Sequence, residues 1–127
     1  MNLRLYGFWR SIASFRVRVA LKLKGLPFEE IPVDILSGEQ FDPAYEDVNA
    51  ERVVPTLVHG EQRLFQSLAI IEYLDELITE PRLLPSDSVE RAYARALALV
   101  TIADSHPLVT PRVRNHVVEM FGADAHT

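Results

Sequence analysis

The sequence predicts an α/β fold, and three observations carry that expectation. An apolar strand-like run near the N-terminus is followed by a stretch of helical periodicity and then by a second alternating stretch. A proline-bearing apolar segment, residues 53–58, is answered within a few residues by a returning segment, residues 63–65. A helical stretch led by a hydroxyl residue comes directly after that return. In order, these read β-α-β-α-β-β-α up to about Ile78, with further helical sequence beyond.

Residues 3–6 read as a buried strand. Ile12, Phe15, Val19 and Leu23 recur at helical spacing, and Gly25 follows as a stop signal. Leu26 and Pro27 turn the chain, and residues 28–33 alternate enough for a second strand, with Pro32 pointing to a sheet edge. A strand–helix–strand unit of this kind is parallel with a right-handed crossover. Residues 37–50 hold Gly38, Pro43 and several acids, which suits a loop with at most a short helix within 42–47. The third strand is broken near its start by Pro55, and His59, Gly60 and Glu61 form a hairpin turn with His59 facing solvent. Gln66 and Ser67 open a helix with Leu68, Ile71, Leu74 and Ile78 on one face and Ile70 beside them. Ser67 is its expected N-cap, although Ile70 stands where a capping box needs Glu or Gln. A long helix is expected over about 89–105, disturbed by Pro107. Pro111 permits a new helix start, residues 112–121 are apolar on one side, and Gly122 stops that helix.

The domain organisation follows: residues 1–80 as the α/β domain, 81–88 as a linker with two prolines, and 89–127 as part of a helical domain. Only 42 residues follow Pro85, too few for two helices to close a core of their own, so they pack against the first domain, pair with another subunit, or belong to a longer chain; the last is the expectation, because the sequence stops just after the helix-stop Gly122.

Composition excludes several classes of function. The chain of 127 residues is 48% hydrophobic and can bury a core. Its net charge of −5 argues against nucleic acid and anionic membrane surfaces as partners, although arginines and lysines cluster at Arg10, Arg16, Arg18, Lys22 and Lys24. With no cysteine, disulfides, thiolate metal sites and cysteine nucleophiles are excluded, and any thiol chemistry needs a thiol brought in from outside. No metal site is expected. No apolar run reaches the length of a membrane span, and the N-terminus lacks the apolar stretch of a signal peptide; the reading is a soluble cytoplasmic protein.

Three positions can carry chemistry. Ser11, preceded by Arg10, falls at the start of the first helix, where unpaired N–H groups and the dipole favour an anion. Taken alone it reads as an ordinary N-cap. Val54-Pro55 sits where a proline opens a strand, and a cis peptide there leaves a backbone pair able to bind an extended peptide. Taken alone it reads as a trans proline. Gln66 and Ser67 offer a hydroxyl and free N–H groups at a second helix start, suited to a carboxylate or to simple capping. Arg16 and Arg18, two apart on a helix, face different ways; one can reach the site or a partner, and the other reads as a solvated charge. Trp9 and Tyr73 read as core or interface packing residues.

Together, in this order and spacing, these segments resemble the glutathione S-transferase family. Val54-Pro55-Thr56-Leu57 and the segment from Gln66 to Leu74, Gln-Ser-Leu-Ala-Ile-Ile-Glu-Tyr-Leu, match its glutathione domain. Phe8-Trp9-Arg10-Ser11, Ser14 to Leu21 and Lys24-Gly25 resemble the zeta class, which holds the maleylacetoacetate and maleylpyruvate isomerases. Ala103 to Leu108 and Arg112-Val113 resemble the start of that class's helical domain. The resemblance implies a thioredoxin-like N-terminal domain followed by the first helices of an all-α C-terminal domain, glutathione as cofactor, a small dicarboxylate as substrate, and a homodimer. It implies that Ser11 hydrogen-bonds the glutathione sulfur and that Val54, ahead of a cis Pro55, pairs through its backbone with the cysteinyl unit. Gln66 and Ser67 would hold the γ-glutamyl carboxylate, and Arg10, His106 and Arg112 would lie near the acidic substrate or the glutathione carboxylates. The implied activity is cis–trans isomerisation of a maleyl acid by thiolate addition, rotation and elimination; the alternative is a glutathione-binding fragment without chemistry. Two departures stand out. Ile12-Ala13 replaces the Ser-Cys of the zeta pattern, a shift toward the maleylpyruvate isomerase branch, and Val53 replaces the glutamine that usually precedes the Val-Pro pair.

Overall fold

Alternation in the first strand decides which side of the sheet becomes the core. The computed structural model describes residues 1–122. It separates into two units, Met1–Leu84 and a second that begins at Pro85. The first unit runs β1 (Leu3–Gly7), α1 (Ile12–Leu23), β2 (Glu29–Pro32), α2 (Pro43–Glu46), β3 (Thr56–His59), β4 (Gln62–Phe65) and α3 (Ser67–Leu77), with a 3₁₀ turn at Glu39–Phe41 before α2. Leu3 and Leu5 point to one side and are buried, while Arg4 and Tyr6 point to the other.

The four strands lie in the order β2-β1-β3-β4. β1 and β2 are parallel, and β3 is antiparallel to both β1 and β4. β2 is therefore an edge, as Pro32 indicated. Leu3 and Leu5 of β1, Leu57 of β3, Val17, Ala20 and Leu21 of α1, and Ile70 and Leu74 of α3 form the core between the sheet and its two long helices. On the opposite face, Tyr6 meets Tyr45 of α2 with ring centroids 6.0 Å apart. The apolar spacing that marked α1 is not its buried stripe. Ser14, Val17, Ala20 and Leu21 are buried, while Ile12, Phe15, Val19 and Leu23 are exposed. The stop at Gly25 is a Schellman turn: Gly25 takes φ +64°, its N–H donates to Lys22 O, and Leu26 N–H donates to Leu21 O. Leu26 then joins the core.

A buried ion pair ties the far ends of α1 and α3. The Lys24 ammonium, fully buried, donates to Asp75 Oδ1 at 2.5 Å, to Ile78 O at 2.5 Å and to Pro81 O at 2.6 Å. Asp75 also accepts from the N–H groups of Leu83 and Leu84. Burial pushes the Asp75 carboxyl up. The hydrogen bonds from Lys24, Leu83 and Leu84, with the Lys24 charge, outweigh that and hold it below the ordinary carboxylate range. Arg18 is not a solvated charge either, since it donates to Phe8 O at 2.7 Å and pairs with Glu30 at 2.7 Å.

In the second unit, α4 (Ser88–Leu99) is capped by Asp87, whose carboxylate accepts from Val89 N and Glu90 N. The single long helix expected over 89–105 is broken up. After Leu99 the ladder widens into a π segment, Val100–Ser105, and then tightens into a 3₁₀ turn, His106–Val109. Pro107 is the reason: it has no N–H for the carbonyl four residues back, so the regular ladder ends upstream of it. α5 (Pro111–Phe121) starts at a proline and ends at Gly122, which adopts φ +62°. No described residue of this unit is buried. Among the described residues no helix is long and apolar enough to cross a membrane.

Candidate functional site

Strand register gathers the sequence-predicted residues of the first unit. Tyr6 pairs with Thr56, and Thr56 pairs with Phe65, so these three form one row across β1, β3 and β4. Chain direction then decides what leaves the sheet beyond that row. β1 and β4 run into Ser11 and into Gln66-Ser67, and β3 is entered from Val54-Pro55. All three segments emerge at the same end of the sheet. α1 and α3 both begin there, so two helix N-termini face one region. Neither has an acidic residue in its first turn, in contrast to α4 with Glu90.

Ser11 is the N-cap of α1, and its Oγ accepts from Ser14 N at 3.1 Å. That bond uses a lone pair and leaves the hydroxyl proton free, since Ser11 donates to no side chain or backbone group among the described residues. Ser11 is half-buried, so the proton can be offered outward. Arg10 is exposed, with its guanidinium carbon 5.6 Å from the centroid of the Trp9 ring. Trp9 is 75% exposed, so it is not a core residue of this chain. Phe8 is the aromatic that packs inward. Ser14 Oγ accepts from Phe8 N at 3.3 Å and steadies the same loop.

Val54 is half-buried and Pro55 buried, and their peptide bond is cis. β3 begins only at Thr56, because Pro55 has no N–H to give to a ladder. At the third segment the structure moves the cap by one residue. Gln66 is the N-cap of α3 and Ser67 its first helical residue, a correction to the expected N-cap at Ser67. Gln66 takes φ +68° and ψ +115°, a region sparsely used by residues with a Cβ, and its side chain makes no capping bond. Ser67 is 5% exposed, and its hydroxyl makes no hydrogen bond among the described residues. An unengaged, nearly buried hydroxyl beside open helix N–H groups is a donor set suited to a carboxylate.

His106 and Arg112 lie in the second unit, His106 half-buried at the head of the 3₁₀ turn and Arg112 exposed in the first turn of α5. His59 is not a free turn residue. It closes β3 and its Nδ1 lies 2.6 Å from the Tyr73 hydroxyl. Among the described residues no group of three His, Asp or Glu could hold a metal ion.

Sequence reasoning missed one cluster that borders the site. Tyr45 and Asn49 are buried, beside the fully buried Thr56. The Tyr45 hydroxyl lies 2.6 Å from Val53 O and 3.0 Å from Thr56 Oγ1, and Asn49 Nδ2 lies 3.0 Å from both of those same atoms. Burial pushes the Tyr45 phenol up, and its hydrogen bonds with Thr56 and Asn49 only partly oppose this. The available signal was an aromatic within a short helix in an otherwise acidic loop.

Residues 1–76 match the family model described as the glutathione S-transferase N-terminal domain. The chain is 43% identical over 122 residues to a maleylpyruvate isomerase of a Ralstonia species, covering 96% of this chain and 58% of that protein. A holo structure of a maleylpyruvate isomerase, a bacterial zeta-class glutathione S-transferase, superimposes with a TM-score of 0.93 at 43% identity, over 95% of this chain and 57% of that one. A maleylacetoacetate isomerase of Methylobacterium extorquens AM1, solved with malonate and glutathione bound, superimposes with a TM-score of 0.92 at 45% identity, over 97% of this chain and 58% of that one. The chain thus spans less than two thirds of the length of these relatives.

Proposed function

Because the chain belongs to the glutathione S-transferase family, in its zeta class, we propose that residues 1–80 form its glutathione-binding domain and residues 89–127, of which 123–127 lie outside the described residues, the start of its helical domain, the two joined by the linker 81–88. The observation that supports this most is the shared row Tyr6–Thr56–Phe65, which brings Ser11, Val54 and Gln66-Ser67 out at one end of the sheet. The donor set there fits a tripeptide with an anionic sulfur and carboxylates: a free serine proton, an unengaged buried serine hydroxyl and two helix N-termini without acidic first turns.

The reaction we propose is the cis–trans isomerisation of a maleyl-substituted small acid, maleylacetoacetate or maleylpyruvate. Glutathione, when bound, would supply the thiolate for a reversible addition to the cis double bond, after which rotation about the resulting single bond and elimination of the thiolate would re-form the double bond as trans. Ser11 donates its hydroxyl proton toward the sulfur, and the N-terminus of α1 stabilises negative charge there; both favour thiolate over thiol. Val54 offers its backbone to the cysteinyl unit, ahead of Pro55. Gln66 and Ser67 hold the γ-glutamyl carboxylate at the start of α3. Arg10 is permanently charged and faces solvent beside Ser11, which suits a substrate carboxylate and the enolate charge that addition develops. Within the second unit, His106 and Arg112 are the side chains whose chemistry suits acidic groups. A homodimer in the cytoplasm belongs to the same reading.

Thermal denaturation with and without glutathione tests the binding half of this reading. At about ten times the dissociation constant, mass action stabilises by about 1.4 kcal/mol, a rise of a few degrees in Tm. Ser67→Ala should cut that rise while leaving the unliganded Tm nearly unchanged. No shift at millimolar glutathione overturns the proposal. A shift without turnover of either maleyl acid leaves the chain a glutathione-binding protein without chemistry.

A further inference from the structure

The cluster of Tyr45, Asn49 and Thr56 closes without a spare proton. Asn49 Oδ1 accepts from Glu51 N at 2.9 Å, which fixes the amide so that Nδ2 faces Val53 O and Thr56 Oγ1. The two Nδ2 protons go one to each of those acceptors. The Tyr45 hydroxyl proton goes to Val53 O, and the Thr56 hydroxyl proton goes to the Tyr45 oxygen. Both lone pairs of the Val53 carbonyl are then used, and every polar atom of the three side chains is engaged.

Two buried polar side chains, Tyr45 and Asn49, thus converge on the carbonyl of Val53, the residue before Val54, and Thr56 links the pair. A shape-matched apolar cluster would serve stability as well, because net hydrogen-bond gains are small and buried polar groups are costly to desolvate. What a closed network adds is one defined conformation for the segment it grips. Here it grips residues 53 and 56, on either side of Val54 and Pro55. The loop leading in is itself tightly wound: Arg52 takes φ +54°, its N–H donates to Asn49 O, and its side chain pairs with Glu46 at 2.6 Å.

We propose that Tyr45, Asn49 and Thr56 are positioning residues for peptide-ligand binding, holding the backbone of Val54 in the setting that meets the ligand's main chain. The inference rests on the reading of this sheet end as the glutathione site. It adds that affinity for the tripeptide is governed by side chains whose bonds end on residues 53 and 56 rather than on the ligand.

The test is a calorimetric titration of glutathione into Tyr45→Phe, which keeps the ring packed against Tyr6 and removes only the hydroxyl. Thr56→Val, which breaks the same chain isosterically, serves if Tyr45→Phe does not fold. Val17→Ala, a buried substitution on α1, is the control for a general loss of stability. All are measured well below their melting temperatures. The expected result is a dissociation constant raised about fivefold to tenfold in the network variant, the loss of one well-formed hydrogen bond, with the Val17→Ala constant within twofold of the parent protein. A network variant that binds like the parent overturns the inference while leaving the glutathione site standing. Equal weakening in both variants also overturns it, by showing a merely structural effect. A parent protein that does not bind glutathione removes the site and the inference together.

Discussion

Lys24→Met tests how the first unit is held together, because it deletes one buried charge and almost no volume. In the native unit that ammonium makes three short hydrogen bonds, to Asp75, Ile78 O and Pro81 O, with no part of the side chain exposed. Removing it leaves Asp75 with only the Leu83 and Leu84 amides. Breaking a buried pair from one side costs about 3–5 kcal/mol. The two carbonyls add little, because they lie in the loop beyond α3 where water can replace the donor. A loss of about 4 kcal/mol is therefore expected. For a unit of this size total stability is about 4–13 kcal/mol, so the variant is left marginal, with Tm lower by about 15 °C or more. Urea unfolding followed by circular dichroism reads this directly. The pH dependence supplies an independent sign. In the native protein the Asp75 pKa lies below its unfolded value, so its contribution is complete above the ordinary carboxylate range and disappears only as pH falls through the depressed folded value. In Lys24→Met the burial that raises this pKa loses its main opponent, the folded pKa rises, and protonation then favours the fold. The gap between native and variant stability should narrow from pH 7 to about pH 4. A loss under about 1 kcal/mol, or a gap that does not change with pH, refutes the reasoning.

If the proposed isomerase reading holds, Ser11→Ala should lower turnover of the maleyl acid about tenfold to a hundredfold, the worth of a hydrogen bond to a charged group, with a smaller change in glutathione affinity. Losing a donor to the thiolate raises the thiol pKa, so the rising limb of the pH–rate profile should move to higher pH; an unmoved limb removes Ser11 from that role. Gly7→Ala should destabilise by about 1–2 kcal/mol, because the new Cβ would stand 3.1 Å from Ser14 Oγ and 3.2 Å from Ser14 Cβ, both fixed in the core. An unchanged urea midpoint would show that Ser14 yields more easily than its bond to Phe8 N suggests.

How much of this was legible in the sequence depended on the range of the interaction. Local chemistry was readable. Gly25 and Gly122 marked two helix ends because each needs φ > 0, Pro32 marked an edge strand, and Ser11 capped α1. The misreadings came from long-range partners. Lys24 was grouped with Lys22 in a basic run, yet its partners are 51 to 57 residues away. Spacing on α1 identified a helix but chose the exposed stripe, because Ile12, Phe15 and Val19 repeat as regularly as the buried Ser14, Val17 and Leu21. His59 was read as a turn residue because its partner Tyr73 lies on a different element. Pro107 was visible as a disturbance, but not how the π and 3₁₀ segments would divide the strain around it. The three segments of the candidate site were each ambiguous alone. The register Tyr6–Thr56–Phe65 unites them, and register is set by the whole sheet.

The two polar clusters of the first unit sit at opposite ends of the same architecture, and that placement separates their effects. Lys24 and Asp75 join the last turn of α1 to the last turns of α3, far from the end where both helices begin. Between them Val17, Leu21, Ile70 and Leu74 pack without exposure. A close-packed core is nearly incompressible and holds the two helices in one arrangement for as long as it remains folded. Loosening the ion pair therefore lowers the population of the folded unit without moving the starts of α1 and α3 within it. Tyr45, Asn49 and Thr56 act in the other sense, since their bonds end on the segment that carries Val54. Lys24→Met should lower stability steeply yet leave glutathione affinity intact in the fraction that is folded, whereas Tyr45→Phe should change affinity more than its modest loss of stability explains. Measuring both quantities on both variants gives a crossed pattern; a single common ratio of affinity loss to stability loss would show instead that the site and the core are one cooperative object.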